Sequence, residues 1–386
     1  MGLFKRARRI NLALQGGGAH GAFTWGVLDR LLEDESLELG WVSGTSAGAV
    51  NAVALAAGLA EGGRAGARAR LKAVWDSVYR AGVPDLLRLN PFLFSLARSP
   101  TMAHMASLWS PYEFNPMGFD PLRRLLAENI DFEALRMKAP VGLIITATDI
   151  ATGRPRHFRR HEITIETILA SACLPTLHHA VVIDGRAYWD GGFSANPDLV
   201  TLVQESGVGD TLLVLLNPVE KLGIPTGVRE IADHANRLTF NAPLLRDIEV
   251  IATARRAPRP WFGGGSDVVR LADHRFHMIE AGRYTAQLRP DSKVKPDLEM
   301  FRHLFGAGQA EAGKWLERQG PAVGQRETVD LPGRFLSADP AATAAPATPS
   351  ASAGAASSEA PSRSGPMDSA LENGASSPAT KRSETA

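Results

Sequence analysis

The sequence holds a single cysteine, Cys173, among 386 residues, which excludes an internal disulfide framework. A small buried hydrophobe is the expected role for that residue. No stretch reaches the roughly 18 uninterrupted apolar residues of a membrane-spanning helix. Neither sign of charge dominates. Lys+Arg total 42 against 41 Asp+Glu, a formal net charge of +1, so bulk charge points to no nucleic-acid partner. A myristoylation signal is also missing, because Arg6 stands where Ser or Thr is required after Gly2. From Ser337 to Ala386 there is no aromatic residue, no Ile and no Val. A segment of that composition cannot bury enough apolar surface to offset its ordering entropy, and residues 336–386 read as a disordered Ala/Ser/Pro-rich tail.

The rest is ordinary globular composition, with 44% hydrophobic and 22% charged residues. Residues 10–335 are the expected folded domain, preceded by a basic segment, 1–9. That segment suits transient contact with anionic lipid head groups, or a simply solvated terminus. The apolar run after it is short and breaks into glycines, so it reads as a first strand rather than a signal peptide. A cytoplasmic protein, peripheral at the membrane at most, is expected; the sequence fixes no oligomeric state.

Ile10 to Gln15 forms an apolar strand ending in Gly16-Gly17-Gly18. After it, Phe23, Val27, Leu28, Leu31 and Leu32 recur at helical spacing. Trp41 to Ser43 is a second strand, and Ala47 to Ala60 is apolar enough for a helix buried on most sides. Strand, glycine turn and helix, twice over, is the grammar of an open α/β sheet. Arg68–Tyr79 suits a further helix. Pro84 to Pro121 is too rich in proline for a long regular element, and its apolar part, Phe92 to Trp109, is a candidate cap over a site, a membrane-touching lid or ordinary core. Further on, Val141–Thr148 and Thr211–Leu216 read as buried strands, and Ile163–Ser171 and Val228–Arg256 as helices. Val181–Ile183 and Ala187–Trp189 flank Asp184-Gly185 as a hairpin. Beyond Arg256 the pattern assigns little.

Three features carry chemistry. Gly44-Thr45-Ser46-Ala47-Gly48 fits G-x-S-x-G between a strand and a helix, a sharp turn that exposes the Ser46 hydroxyl while close-passing backbones demand small flanking residues. Gly16-Gly17-Gly18-Ala19-His20-Gly21 leaves backbone N–H groups able to converge on an oxyanion. The same residues fit a dinucleotide fingerprint, but the second strand runs into Ser43-Gly44 and lacks the acidic residue that would hold a ribose. Asp190-Gly191-Gly192 follows a predicted strand. A carboxylate there can accept a serine proton if burial raises its pKa, or can simply cap a tight turn.

In this order the three motifs resemble the patatin-like phospholipase family. Ala170-Ser171-Ala172-Cys173-Leu174-Pro175 is a weaker fourth match, and the resemblance spans about Ile10 to Pro197. It implies a three-layer α/β/α fold with a mostly parallel central sheet. It also implies a Ser46–Asp190 dyad without a catalytic histidine, and hydrolysis of acyl esters of phospholipids and related lipids with no metal or cofactor. Gly16, Gly17, Gly18, Gly21 and Ala47 belong to the implied oxyanion region. Gly44, Gly48, Gly191 and Gly192 shape its turns. His20 stands where many members carry Arg or Lys. Other readings remain: a Ser–His–Asp hydrolase using His234, His274, His277 or His303, a non-lipid esterase or thioesterase, and an inactive lipid-binding protein.

Overall fold

The computed structural model describes residues 7–81, 109–220, 223–258, 266–285, 288 and 298–337. Most of the basic N-terminal segment, the stretch Phe92–Leu108 and the tail beyond Ser337 therefore lie outside the described residues. Trp109, the last residue of the expected cap, is 43% exposed.

The chain opens with strand β1 (Arg8–Leu14), a single 3-10 turn (Gly18–His20) and helix α1 (Gly21–Leu31). β2 (Leu37–Gly44) and α2 (Ala47–Ala81) follow. α2 is two limbs joined by a kink at Gly62 and Gly63, so the two helices expected over Ala47–Ala60 and Arg68–Tyr79 are its halves. Among the described residues, the proline-rich region and the stretch just after it contribute only short helices: α3 (Pro111–Phe114), α4 (Pro121–Asn129) and α5 (Phe132–Lys138). Next come β3 (Gly142–Asp149), β4 (Pro155–Arg159), α6 (Ile165–Ser171), β5 (Val181–Ile183) and β6 (Arg186–Asp190). Asp184 and Gly185 both take positive φ between β5 and β6, which is what a two-residue hairpin turn requires. α7 (Val200–Ser206), β7 (Asp210–Leu215) and the long α8 (Val228–Arg256) continue the chain. The last third holds α9 (Asp267–Asp273), β8 (Arg275–Glu280), α10 (Gly282–Thr285), α11 (Leu298–Arg318) and α12 (Leu331–Leu336).

The strands form one eight-stranded sheet in the order β5-β6-β3-β2-β1-β7-β8, with β4 also paired to β3. β3, β2, β1, β7 and β8 run parallel; β4, β5 and β6 are antiparallel additions. Side-chain alternation divides the core into two layers. Leu12, Leu14, Leu143, Ile145, Leu212 and Val214 pack with α1, α2 and α11 on one face. Ala13, Ile144, Leu213 and Leu215 pack with α7, α8, α9 and α12 on the other. This is the three-layer α/β/α arrangement with a mostly parallel sheet. Buried Asn51 on α2 fixes α1 beside it, donating to the carbonyls of Gly21 and Ala47 while its own oxygen accepts from the Trp75 indole. No helix among the described residues is long and apolar enough to cross a membrane.

Candidate active site

The C-terminal ends of the parallel strands converge where the chain turns at Gly16 and Ser46, which is where open α/β sheets place their ligands. β3 acts as the ruler. Its Ile145 pairs with Gly44, two residues before Ser46, and its Ala147 pairs with Asp190. The serine turn and the aspartate thus end up side by side, although they are far apart in sequence.

Ser46 has φ +55°, a left-handed conformation that is uncommon outside glycine and is expected at a strand-to-helix elbow. Its surroundings hold it there. A Cβ on Gly44 would meet the Gly48 carbonyl oxygen at 2.6 Å, and one on Gly48 would collide with the Leu14 carbonyl. The Ser46 N–H donates to Ser171 Oγ at 3.0 Å. Thr45 Oγ1 donates to the Ala195 carbonyl at 2.9 Å, which ties the elbow to the loop after Asp190.

Asp190 is 1% exposed. Its Oδ1 accepts the Gly192 N–H at 2.7 Å, so it does cap its own tight turn. Among the described residues, Oδ2 has no hydrogen-bond partner. Burial pushes the carboxyl up to about 7, and the Gly192 N–H and the neighbouring Ser46 hydroxyl pull in the opposite direction. Ser46 is therefore close enough to act on the carboxylate without closing a short bond, a looseness common in catalytic pairs without substrate. The Asp190 backbone is fixed as well. Its N–H donates to the Cys173 carbonyl at 2.8 Å, and its carbonyl accepts from Thr148 Oγ1 at 2.8 Å. A Cβ at Gly191 would strike the Thr146 carbonyl, and one at Gly192 the Phe240 ring.

The glycine turn lies against both. A Cβ on Gly16 would sit 2.9 Å from Ser46 Cβ. The Gly16 N–H donates to Asn196 Oδ1 at 2.8 Å and is not free to bind an oxyanion. Among the described residues, no hydrogen bond engages the N–H of Gly17, Gly18 or Ala47. Gly17 is half-buried and Gly18 exposed, so both amides are reachable. Gly18 takes φ +57° to start the 3-10 turn. Gly21 packs against Ala47 and Trp75, which makes it a contact point between α1 and α2 rather than a donor. His20 is buried at the end of the 3-10 turn.

Among the described residues, none of the candidate histidines hydrogen-bonds Ser46 or Asp190. His274 and His277 sit at or near the N-terminal end of β8, paired with Thr211 and Asp210 respectively. Burial lowers His274 to about 4. His234 hydrogen-bonds Arg237 on its own helix, and His303 packs on the Tyr284 ring. A hollow of about 310 Å³ lined by Val203, Gly209, His274 and Arg275 also opens at that far end of the sheet. Cys173 is buried, as expected, and its thiol is pushed up to about 12 by burial. Ser171, Thr148 and Asn196 received no role from the sequence. Ser171 and Asn196 did fall within or beside the quoted motifs, and that was the only signal they gave.

Residues 12–203 match the model of the family described as Patatin-like phospholipase. No curated protein matches the chain. Among solved structures, VipD from Legionella pneumophila is similar at 15% identity and TM-score 0.40, over 80% of this chain and 66% of that one. The ExoU–SpcU complex from the type III secretion system of Pseudomonas aeruginosa is similar at 20% identity and TM-score 0.32, over 81% of this chain and 52% of that one. The chain thus spans less than two thirds of either.

Proposed function

As the chain belongs to the patatin-like phospholipase family through residues 12–203, we propose that it is a serine acyl hydrolase cleaving ester-linked fatty acids from phospholipids or related lipids. The observation that carries this reading is the pairing of a left-handed Ser46 with a fully buried Asp190 whose Oδ2 is unengaged. A base raised to about 7 is matched to proton transfer near neutral pH.

In this mechanism Ser46 Oγ attacks the ester carbonyl carbon as its proton passes to Asp190. The carbonyl oxygen becomes an oxyanion held by the N–H groups of Gly17, Gly18 and Ala47. Loss of one such donor typically costs roughly 3 kcal/mol of barrier. Collapse of the intermediate breaks the C–O bond to the alcohol, which leaves with the proton from Asp190. Water then gives a proton to Asp190 and attacks acyl-Ser46; as the bond to Ser46 Oγ breaks and the fatty acid leaves, Asp190 returns that proton to Ser46 Oγ. The hydrolase domain is proposed to run from 10 to 335, beyond the family match, because β8 forms a sheet edge and α11 packs over α1.

Labelling with a fluorophosphonate followed by peptide mapping tests the nucleophile. Modification at Ser46, absent from Ser46→Ala, is expected. Labelling of another serine, with Ser46 unmodified in folded protein, would overturn the assignment.

A further inference from the structure

α8 changes character along its length. From Leu244 onward it is an ordinary amphipathic helix: Leu244, Ile248 and Ile251 are fully buried. Before Leu244 the polarity is inverted. The protein-facing residues are mostly polar, Asp233, His234, Arg237 and Asn241, with Phe240 the one apolar ring among them. Arg237 donates to the Val219 carbonyl at 2.9 Å and Asn241 to the Pro218 carbonyl at 3.1 Å. The solvent-facing line is Val228, Ile231, Ala235, Leu238 and Ala242, all exposed. Val228 is 85% exposed, Ile231 50% and Leu238 55%, and Ile224 just ahead of the helix is 89% exposed. An apolar stripe facing water beside a polar inner face calls for something apolar to cover it.

The half-helix that carries this stripe adjoins the Ser46 site through its inner face. One residue after Leu238–Thr239, Phe240 packs at a tilt against Phe193 with ring centroids 4.8 Å apart, and its carbonyl accepts from Asn196 Nδ2 at 3.0 Å. Trp189 lies 6.5 Å beyond Phe193. Rings therefore run from the Asp190 turn to the inner face of this half of the helix, across the helix from the stripe. The inverted face, over residues 228–242, is about 22 Å long at 1.5 Å per residue. A strip one helix wide offers about 200 Å², well below the roughly 800 Å² per partner of a stable protein interface. It does suit a helix lying in the plane of a lipid surface.

We propose that the first half of α8 is the surface by which the protein seats on a lipid–water interface, with Val228, Ile231 and Leu238 dipping into the acyl region. The choice of a lipid partner rests on the acyl hydrolase reading. Because the stripe carries no charge, it should act on neutral lipid and be indifferent to salt.

The test is flotation of the full chain with phosphatidylcholine vesicles, comparing wild type, the triple variant Val228→Glu/Ile231→Glu/Leu238→Glu, and Val250→Glu from the ordinary half of the helix. Wild type and Val250→Glu should bind alike at low and high salt, and the triple variant should bind at least about tenfold more weakly while unfolding as cooperatively as wild type. Equal binding by the triple variant overturns the proposal. So does failure of wild type to bind, or a triple variant that changes only the oligomeric state in sedimentation. Wild-type cleavage of a short soluble ester, lost in Ser46→Ala, tests the hydrolase reading separately. Cleavage with stripe-independent binding removes the surface and keeps the reading. Stripe-dependent binding without cleavage does the reverse.

Discussion

Ser171 Oγ accepts the backbone N–H of Ser46 at 3.0 Å, so the end of α6 holds the strained turn that presents the candidate nucleophile. Ser171 is fully buried and Ser46 half-buried. Ser171→Ala would remove the acceptor of a partly buried N–H, at a cost of about 1 kcal/mol in stability. The elbow should also loosen. We expect kcat on a short soluble ester to fall about tenfold with KM little changed, since a rate loss of that size is about 1.4 kcal/mol of barrier. Steady-state kinetics and urea unfolding together read both effects. Unchanged kcat would make the contact structural only.

Proton acceptance by Asp190 fixes a pH profile. The carboxyl must be ionised to act as a base, and burial places its titration at about 7. Activity, measured as kcat/KM on a soluble ester, should therefore be low in acid and rise to a plateau through about pH 7. A limb centred near the ordinary carboxylate range would mean that Asp190 is not the titrating base.

The same shift has a consequence for stability. Asp190 is raised from 3.8 to about 7 on folding, so its contribution is fully present below pH 3.8 and is lost as pH climbs through about 7. On the scale of about 1.4 kcal/mol per unit, a few kcal/mol are at stake. Asp190→Asn should lack this decline and be the more stable protein at pH 8–9. Denaturant midpoints of the two proteins across pH 5–9 provide the check.

Gly48 allows the elbow to close against β1. A methyl there would run into the Leu14 carbonyl, which belongs to the central strand and cannot yield cheaply. Gly48→Ala should cost at least about 1–3 kcal/mol, the usual range for overpacking, and should abolish activity in whatever protein folds. Full activity with an unchanged melting temperature would contradict this packing.

The parts of the fold that were readable beforehand are those whose signals are local. Glycine turns after apolar strands gave β1, β2 and both motif loops, and Asp184-Gly185 gave the hairpin that ends in Asp190. The last third was opaque because its logic is tertiary. β8 reads Arg-Phe-His-Met-Ile-Glu, and His277 is buried there only because Asp210 and Thr328 hydrogen-bond its two ring nitrogens. α11 contains Gly306, Gly308 and Gly313, which argue against a helix locally. In the fold, a Cβ on Gly308 would collide with the Phe23 carbonyl, and one on Gly26 with the Phe305 carbonyl, so these glycines are what allows α11 to press onto α1. Within the site, Ser46 and Asp190 were legible as motif residues. The hydrogen bonds from Ser171, Thr148 and Asn196 depend on contacts made across the sheet, and no local pattern encodes them.

The central claim is that Ser46 and Asp190 act as one catalytic pair. Fatty-acid release from mixed phospholipid vesicles by wild type, Ser46→Ala and Asp190→Asn tests it most directly. Release by wild type, with neither variant active though both are folded, is the predicted result. Release that survives in either folded variant would contradict the pair.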